Sequence, residues 1–246
     1  MQHSNPVCTF EAFLSEWLIR QETFLDELRN SMHQTINPNG QAAAAAEEEE
    51  ARSDLVARVF AHYLEYFNAK SSVAQDSILL LVFSPTWFTP FEKTFLWIAG
   101  FKPGLAFHLV KTFVLDLNDD QRLQIEQARK ESRLEERDLM EELTRIQETI
   151  AAPPIYEMAR RAATAVDGEL VGVESALDSL KIAMEELLEC ADFLRLKTLM
   201  SIMEILRSSQ NVMFFAALAR FQLQVRRWGL ELQAAAAAAA AASSAD

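Results

Sequence analysis

The side chains able to do chemistry are few and scattered. His3, His33, His62 and His108 show no ligand spacing, and Cys8 and Cys190 stand far apart without a CxxC or Cys/His pattern. Neither a zinc site nor a disulfide framework is therefore indicated. His108 borders an apolar stripe, and His62 shares a helix with Tyr63 and Tyr66; both read as solvated or hydrogen-bonded core histidines rather than ligands. Glu135-Glu136, Glu141-Glu142 and Glu185-Glu186 have the residue type for acid-base work, but each pair lies in a long charged helical stretch whose carboxylates face solvent. No GxSxG, phosphate-binding glycine loop or HExxH occurs. The expectation is a protein that is not an enzyme and holds no metal.

Two other groups of residues offer binding rather than reaction. Trp87, Phe91, Phe95, Trp97, Phe101 and Phe107 crowd a short stretch, and large aromatics so placed form either an apolar pocket or core. Arg160, Arg161, Arg226 and Arg227 form two basic pairs that could face a partner or an anion. The formal net charge of -13 opposes direct nucleic-acid binding, because neutralising phosphates takes clustered Lys and Arg. The start of the chain lacks a basic stretch followed by an apolar one, and only the terminal alanines make a long apolar run, so no secretion signal and no membrane span are read.

The elements that must position these residues are helices. Half the residues are apolar and the chain has only 6 Gly and 7 Pro, which leaves few turn residues for a sheet. Phe10, Phe13, Leu14, Trp17, Leu18, Phe24, Leu25 and Leu28 recur at three and four, predicting a helix over 9–32. Asn37-Pro38-Asn39-Gly40 breaks it, and Leu55, Val56, Val59, Phe60, Tyr63, Leu64 and Phe67 mark a second, followed by a short apolar helix around 77–82. Thr89-Pro90-Phe91-Glu92 is a capping box with proline at the first helical position, Gly100 is expected to end that helix in a left-handed conformation, and Pro103 to open the next. A charged helix follows from Asn118 to about Thr149. Pro153-Pro154 and Asp167-Gly168 then bracket a short segment. The longest helix is expected over 170–207, and a last one, capped by Ser208 or Ser209, carries Phe214, Phe215, Leu218, Phe221, Leu223, Val225 and Trp228. The fold class is all-α, an antiparallel helical bundle of long and short helices. Residues 1–8 read as a flexible N-terminus, 9–232 as one domain with an Ala/Glu low-complexity insertion at 41–50, and 233–246 as a poly-alanine tail.

Several strings in this order resemble the plant Delay of Germination family, whose domain is shared with the C-terminal part of TGA bZIP factors. They are Phe10-x-x-Phe13 to Trp17, Trp87-x-x-Pro90-x-Glu92, and Phe95-Leu96-Trp97-Ile98-Ala99-Gly100-Phe101-Lys102-Pro103. Further on come Tyr156-Glu157-Met158, Ala191-Asp192-Phe193-Leu194-Arg195-x-x-Thr198-Leu199, and Trp228-Gly229. The resemblance spans roughly 10–232. It implies a regulatory protein acting through protein-protein interaction, with phosphatases or bZIP factors as partners, in seed dormancy and abscisic-acid signalling or in another developmental process such as pollen aperture formation. It leaves open a transcription-associated role needing a DNA-binding partner, a sensor of a small apolar ligand, and a homodimer. The nucleus, the cytoplasm or both are the implied location. Some similar proteins bind haem through paired histidines just before the Trp-Gly pair; the matching positions here are Gln222 and Arg226, so haem is not expected. TGA factors carry a basic region and zipper upstream of this domain, and residues 1–8 here hold no basic cluster, so DNA reading by this chain alone is not expected.

Overall fold

The computed structural model describes residues 6–33, 42–152, 156 and 171–243. Among them are seven helices: α1 (Pro6–His33), α2 (Ala42–Phe83), α3 (Pro90–Lys93), α4 (Gly104–Phe113), α5 (Asp119–Ala151), α6 (Val171–Ile205) and α7 (Ser208–Ser243). A two-stranded hairpin of β1 (Leu96–Trp97) and β2 (Gly100–Phe101) sits between α3 and α4. The Asn37-Pro38-Asn39-Gly40 break, most of the segment after Pro153, and Arg160 and Arg161 lie outside the described residues.

The helices pack by the stripes read from the sequence. Phe10, Leu14, Trp17, Leu25 and Leu28 of α1 are buried against α2 and α7. Bonds from Arg20 to Glu65 and from Arg58 to Glu27 set α1 antiparallel to α2. Gln121 to Ile205 and Lys197 to Glu135 do the same for α5 and α6. By contrast α2 and α7 run parallel, since Ser53 meets Ser208 and Tyr63 meets Gln222. From Gln210 to Ala219, α7 is buried on nearly every side, with Phe214 and Phe215 fully enclosed, so this segment is the axis of the core. Its poly-alanine continuation to Ser243 is helical and exposed.

Three elements depart from the sequence reading. The apolar run near 77–82 is not a separate helix but the last turns of α2, which makes α2, at 42 residues, longer than α6 at 35. No Gly or Pro interrupts the chain between Ala51 and Ser84, so the ladder has no reason to stop before Pro85. Gly100 does not end a helix either. The capping box at Thr89 forms in full, but α3 is one turn long, and the left-handed residues are Ile98 and Ala99, at φ 45° and 55°. Tertiary bonds hold that geometry, as the next subsection describes.

The corner between α6 and α7 is closed by side chains. Gln210 Oε1 accepts from the Arg207 amide, and Asn211 Nδ2 donates to the carbonyls of Met203 and Leu206. These are backbone groups a helix end leaves unsatisfied.

Candidate functional site

The segment from Trp87 to Gly104 is fastened to the bundle at three places, and each fastening joins strings that lie far apart in sequence. The first is built on α6. Asp192 Oδ1 accepts from Arg195 Nη1 at 2.6 Å and from Lys70 Nζ, on α2, at 2.6 Å. The same guanidinium donates to the carbonyls of Trp97, Ile98 (2.8 Å) and Phe101 (2.9 Å), while Lys70 donates to that of Ala99 (3.2 Å). Two buried cations therefore hold four of the five carbonyls from Trp97 to Phe101, both of those in the left-handed turn among them. A planar fork with five donors suits Arg195 to this task. Trp97 lies beneath that guanidinium, 5.2 Å from its ring centroid.

Burial disfavours the charged form of both cations. Lys70 is 1% exposed, and loss of solvent pushes its ammonium down to about 8 even though Asp192 opposes the shift. Burial also lowers Arg195. Such an arrangement fixes one geometry more than it adds stability, since desolvation offsets much of the charge attraction.

The second fastening joins the Thr89 turn to α7. The Thr89 hydroxyl accepts from the Glu92 amide (3.1 Å) and the Glu92 carboxylate accepts from the Thr89 amide (2.8 Å). Arg226 Nη1 donates to that carboxylate (3.1 Å) and to the Trp87 carbonyl (2.7 Å). Gly229 packs on the turn so closely that a Cβ there would fall on the Thr89 side chain, 2.9 Å from its Cβ. Third, buried Glu136 of α5 accepts from the Gly104 amide at 2.6 Å and thereby caps α4.

Between α1, α2, α7 and the hairpin lies a cavity of about 120 Å³, walled mainly by apolar atoms. Trp17, Tyr63, Tyr66, Phe67, Phe88 and Phe101 supply its aromatic surface, and Lys70, Glu92, Lys102, Arg195 and Arg226 its charged groups. Of the six aromatics singled out in sequence, Phe101 lines this cavity. Trp87 and Phe107 are buried in the core, Trp87 against Phe10 at 4.7 Å. Phe91 and Phe95 form an edge-on cluster with Trp228 and Phe221, and Trp97 lies under Arg195. The cavity's other aromatics come from α1 and α2, apart from Phe88 in the segment between α2 and α3. Lys70 and Arg195 were missed, although a cation falling on an apolar helical stripe is itself a signal.

The two remaining basic positions part company. Arg226 points into the molecule, whereas Arg227 is exposed. Gln222, one turn before Arg226, accepts from Tyr63 (2.8 Å) and Gln21 (2.9 Å). Neither residue fits axial ligation of haem, since Gln222 is committed to amide and phenol partners and Arg226 to Glu92. Among the described residues no group of three His, Cys, Asp or Glu could hold a metal ion, and no helix is long and apolar enough to cross a membrane.

Comparison with known proteins places the chain in a family. A family model described as "Seed dormancy control" matches residues 25–112. Protein ZW2 of Arabidopsis thaliana is 35% identical over 227 residues, covering 90% of this chain and 96% of that protein. Protein RESPONSE TO ABA AND SALT 1 of the same plant is 32% identical over 233 residues, covering 92% and 97%. Transcription factor TGA1, also from Arabidopsis thaliana, is 29% identical over 223 residues; the match covers 90% of this chain but 56% of the factor. The strings that fasten the Trp87–Gly104 segment thus lie within a domain matched nearly end to end by the first two, and this chain belongs to the DOG1-like family of plant regulatory proteins.

Proposed function

We propose that this protein regulates through protein-protein contact, with no reaction of its own, in seed dormancy and abscisic-acid signalling. One observation carries the reading: the buried ionisable groups around the hairpin are bonded to each other and to backbone, so their chemistry maintains shape. A poised acid, base or nucleophile needs a free face toward a substrate. The description of the matching family model, seed dormancy control, and the name of one similar protein, for response to abscisic acid and salt, support the choice of process. Protein phosphatases are the partners this reading favours, with the nucleus, the cytoplasm or both as the site of action.

Affinity purification from plant tissue followed by mass spectrometry tests it. Recovery of phosphatases supports hormone signalling. Recovery of bZIP factors supports the transcription-associated reading, which the match to TGA1 favours and in which the chain acts through a DNA-binding partner. Turnover of a substrate by the purified protein would overturn both.

The cavity of about 120 Å³ favours a further role for the same fold, sensing a small apolar ligand. Native mass spectrometry of the purified protein checks this. A retained apolar molecule lost on filling the cavity with Leu199→Trp supports it, and mass equal to the bare chain opposes it.

A further inference from the structure

The outward side of α6 has a different character from the side that holds the hairpin. Within 191–195, Ala191, Asp192, Leu194 and Arg195 are buried, whereas Phe193 is 67% exposed. It stands between two grooves. One, about 250 Å³, lies between α2 and α6 and is lined by Phe67, Leu188, Glu185 and Glu189. The other, about 570 Å³, lies between α5 and α6 and is lined by Leu139, Glu135, Asp138 and again Glu189. Neither is lined by Lys or Arg.

The spacing along α6 extends this surface. Ile182, Glu186, Glu189, Phe193 and Met200 fall within a narrow arc at 100° per residue, and Ile182 and Met200 are 57% and 49% exposed. At a rise of 1.5 Å the stripe is about 27 Å long. Apolar side chains and carboxylates therefore share this stripe, with Glu186 and Glu189 between Ile182 and Phe193. Glu135 already pairs with Lys197, and Asp138 lies 3.6 Å from Arg137. Glu185, Glu186 and Glu189 make no ion pair among the described residues.

The geometry points to a docking site on α6, centred on Phe193, for an amphipathic helix of another protein whose apolar row is flanked by Lys and Arg. Apolar burial in the grooves supplies contact, and the carboxylates select the sign of charge at the rim. A second copy of this chain is disfavoured as the occupant, because it would bring the same acidic stripe and a net charge of -13. This inference rests on the regulatory reading above and names the chemistry of its partner.

A labelled 18-residue Leu/Lys amphipathic helix, compared with a Leu/Glu helix of the same pattern, provides the test by fluorescence anisotropy on the full chain. The Leu/Lys helix binds and the Leu/Glu helix does not. Phe193→Ala weakens binding by about tenfold or more, with an unchanged melting temperature because the side chain is exposed. Glu185→Gln/Glu189→Gln flattens the salt dependence, whereas Glu16→Gln/Glu22→Gln, an equal change of charge on the exposed side of α1, alters affinity by less than about twofold. Equal losses in the two double variants would show diffuse attraction to an acidic protein and overturn the site, as would wild-type affinity in Phe193→Ala. The purification from tissue separates this failure from failure of the function: identical partners for wild type and Phe193→Ala overturn the α6 site and leave the regulatory reading standing. If wild type retains no partner, the regulatory reading falls and the peptide measurement alone decides the surface.

Discussion

Gly100 lies against the guanidinium of Arg195, so that a Cβ at position 100 would stand 2.8 Å from the Arg195 Cζ and Nε. A flexible arginine could withdraw. This one is bonded to Asp192 and to three hairpin carbonyls, so the glycine cannot gain a side chain without displacing the clamp. The requirement for glycine is steric contact rather than a left-handed backbone.

Gly100→Ala is accordingly expected to destabilise the protein by about 1–3 kcal/mol, the usual range for overpacking a closed contact. Amide hydrogen exchange should accelerate first at residues 96–101. Thermal melting together with exchange mass spectrometry checks both, and an unperturbed hairpin would show that Arg195 moves freely.

Asp192→Asn leaves Lys70 and Arg195 buried without their shared carboxylate. Removing one partner from a buried ion pair typically costs about 3–5 kcal/mol. Denaturant unfolding should show a loss of this order. The double variant Asp192→Asn/Lys70→Met, which also removes one stranded cation, should recover part of it.

Gly229→Ala drives a methyl group into the Thr89 side chain at the start of α3. The expected cost is about 2–3 kcal/mol. Thr89→Ala alone should lose about 1 kcal/mol through the missing cap. Because both act at one contact, the double variant should be less destabilised than the sum, which calorimetric melting of the four proteins reads directly.

His62 is 2% exposed and stacks on Trp17, with ring centroids 4.3 Å apart and planes within 5°. Neither of its ring nitrogens has a hydrogen-bond partner among the described residues. Burial, helped by the charge of Arg20, pushes its pKa down to about 4 from 6.5. The unfolded chain therefore binds more protons between these values, and stability present above pH 6.5 is lost as pH falls toward 4. His62→Phe keeps the stack and removes the titration. Its advantage over wild type should grow by roughly 1–2 kcal/mol between pH 7 and pH 4 in denaturant titrations, and parallel pH profiles would contradict this.

The local signals in the chain were strong where they depend on neighbours in sequence. The stripe from Phe10 to Leu28, the Thr89 capping box and the Asn118 start of α5 all rest on contacts three or four residues apart, and each forms as read. The end of α3 was not legible. Nothing near residue 94 stops a helix, and the carbonyls that leave the ladder are taken by Arg195 and Lys70, far along the chain. The same limit applied to Arg226, whose exposed-looking Arg-Arg pair splits because Glu92 waits 134 residues away.

Sequence by itself determined that this is a helical protein of the DOG1-like family, since periodicity, caps and the order of the strings are properties of the chain read in one dimension. Tertiary structure alone decided that those strings meet as pairs, Trp97–Phe101 with Asp192–Arg195 and Trp87–Glu92 with Arg226–Gly229. It also decided which aromatics enclose the cavity and which are core. The reason is physical: a buried cation must find acceptors wherever packing brings them, and that choice depends on distances between helices that no local spacing encodes.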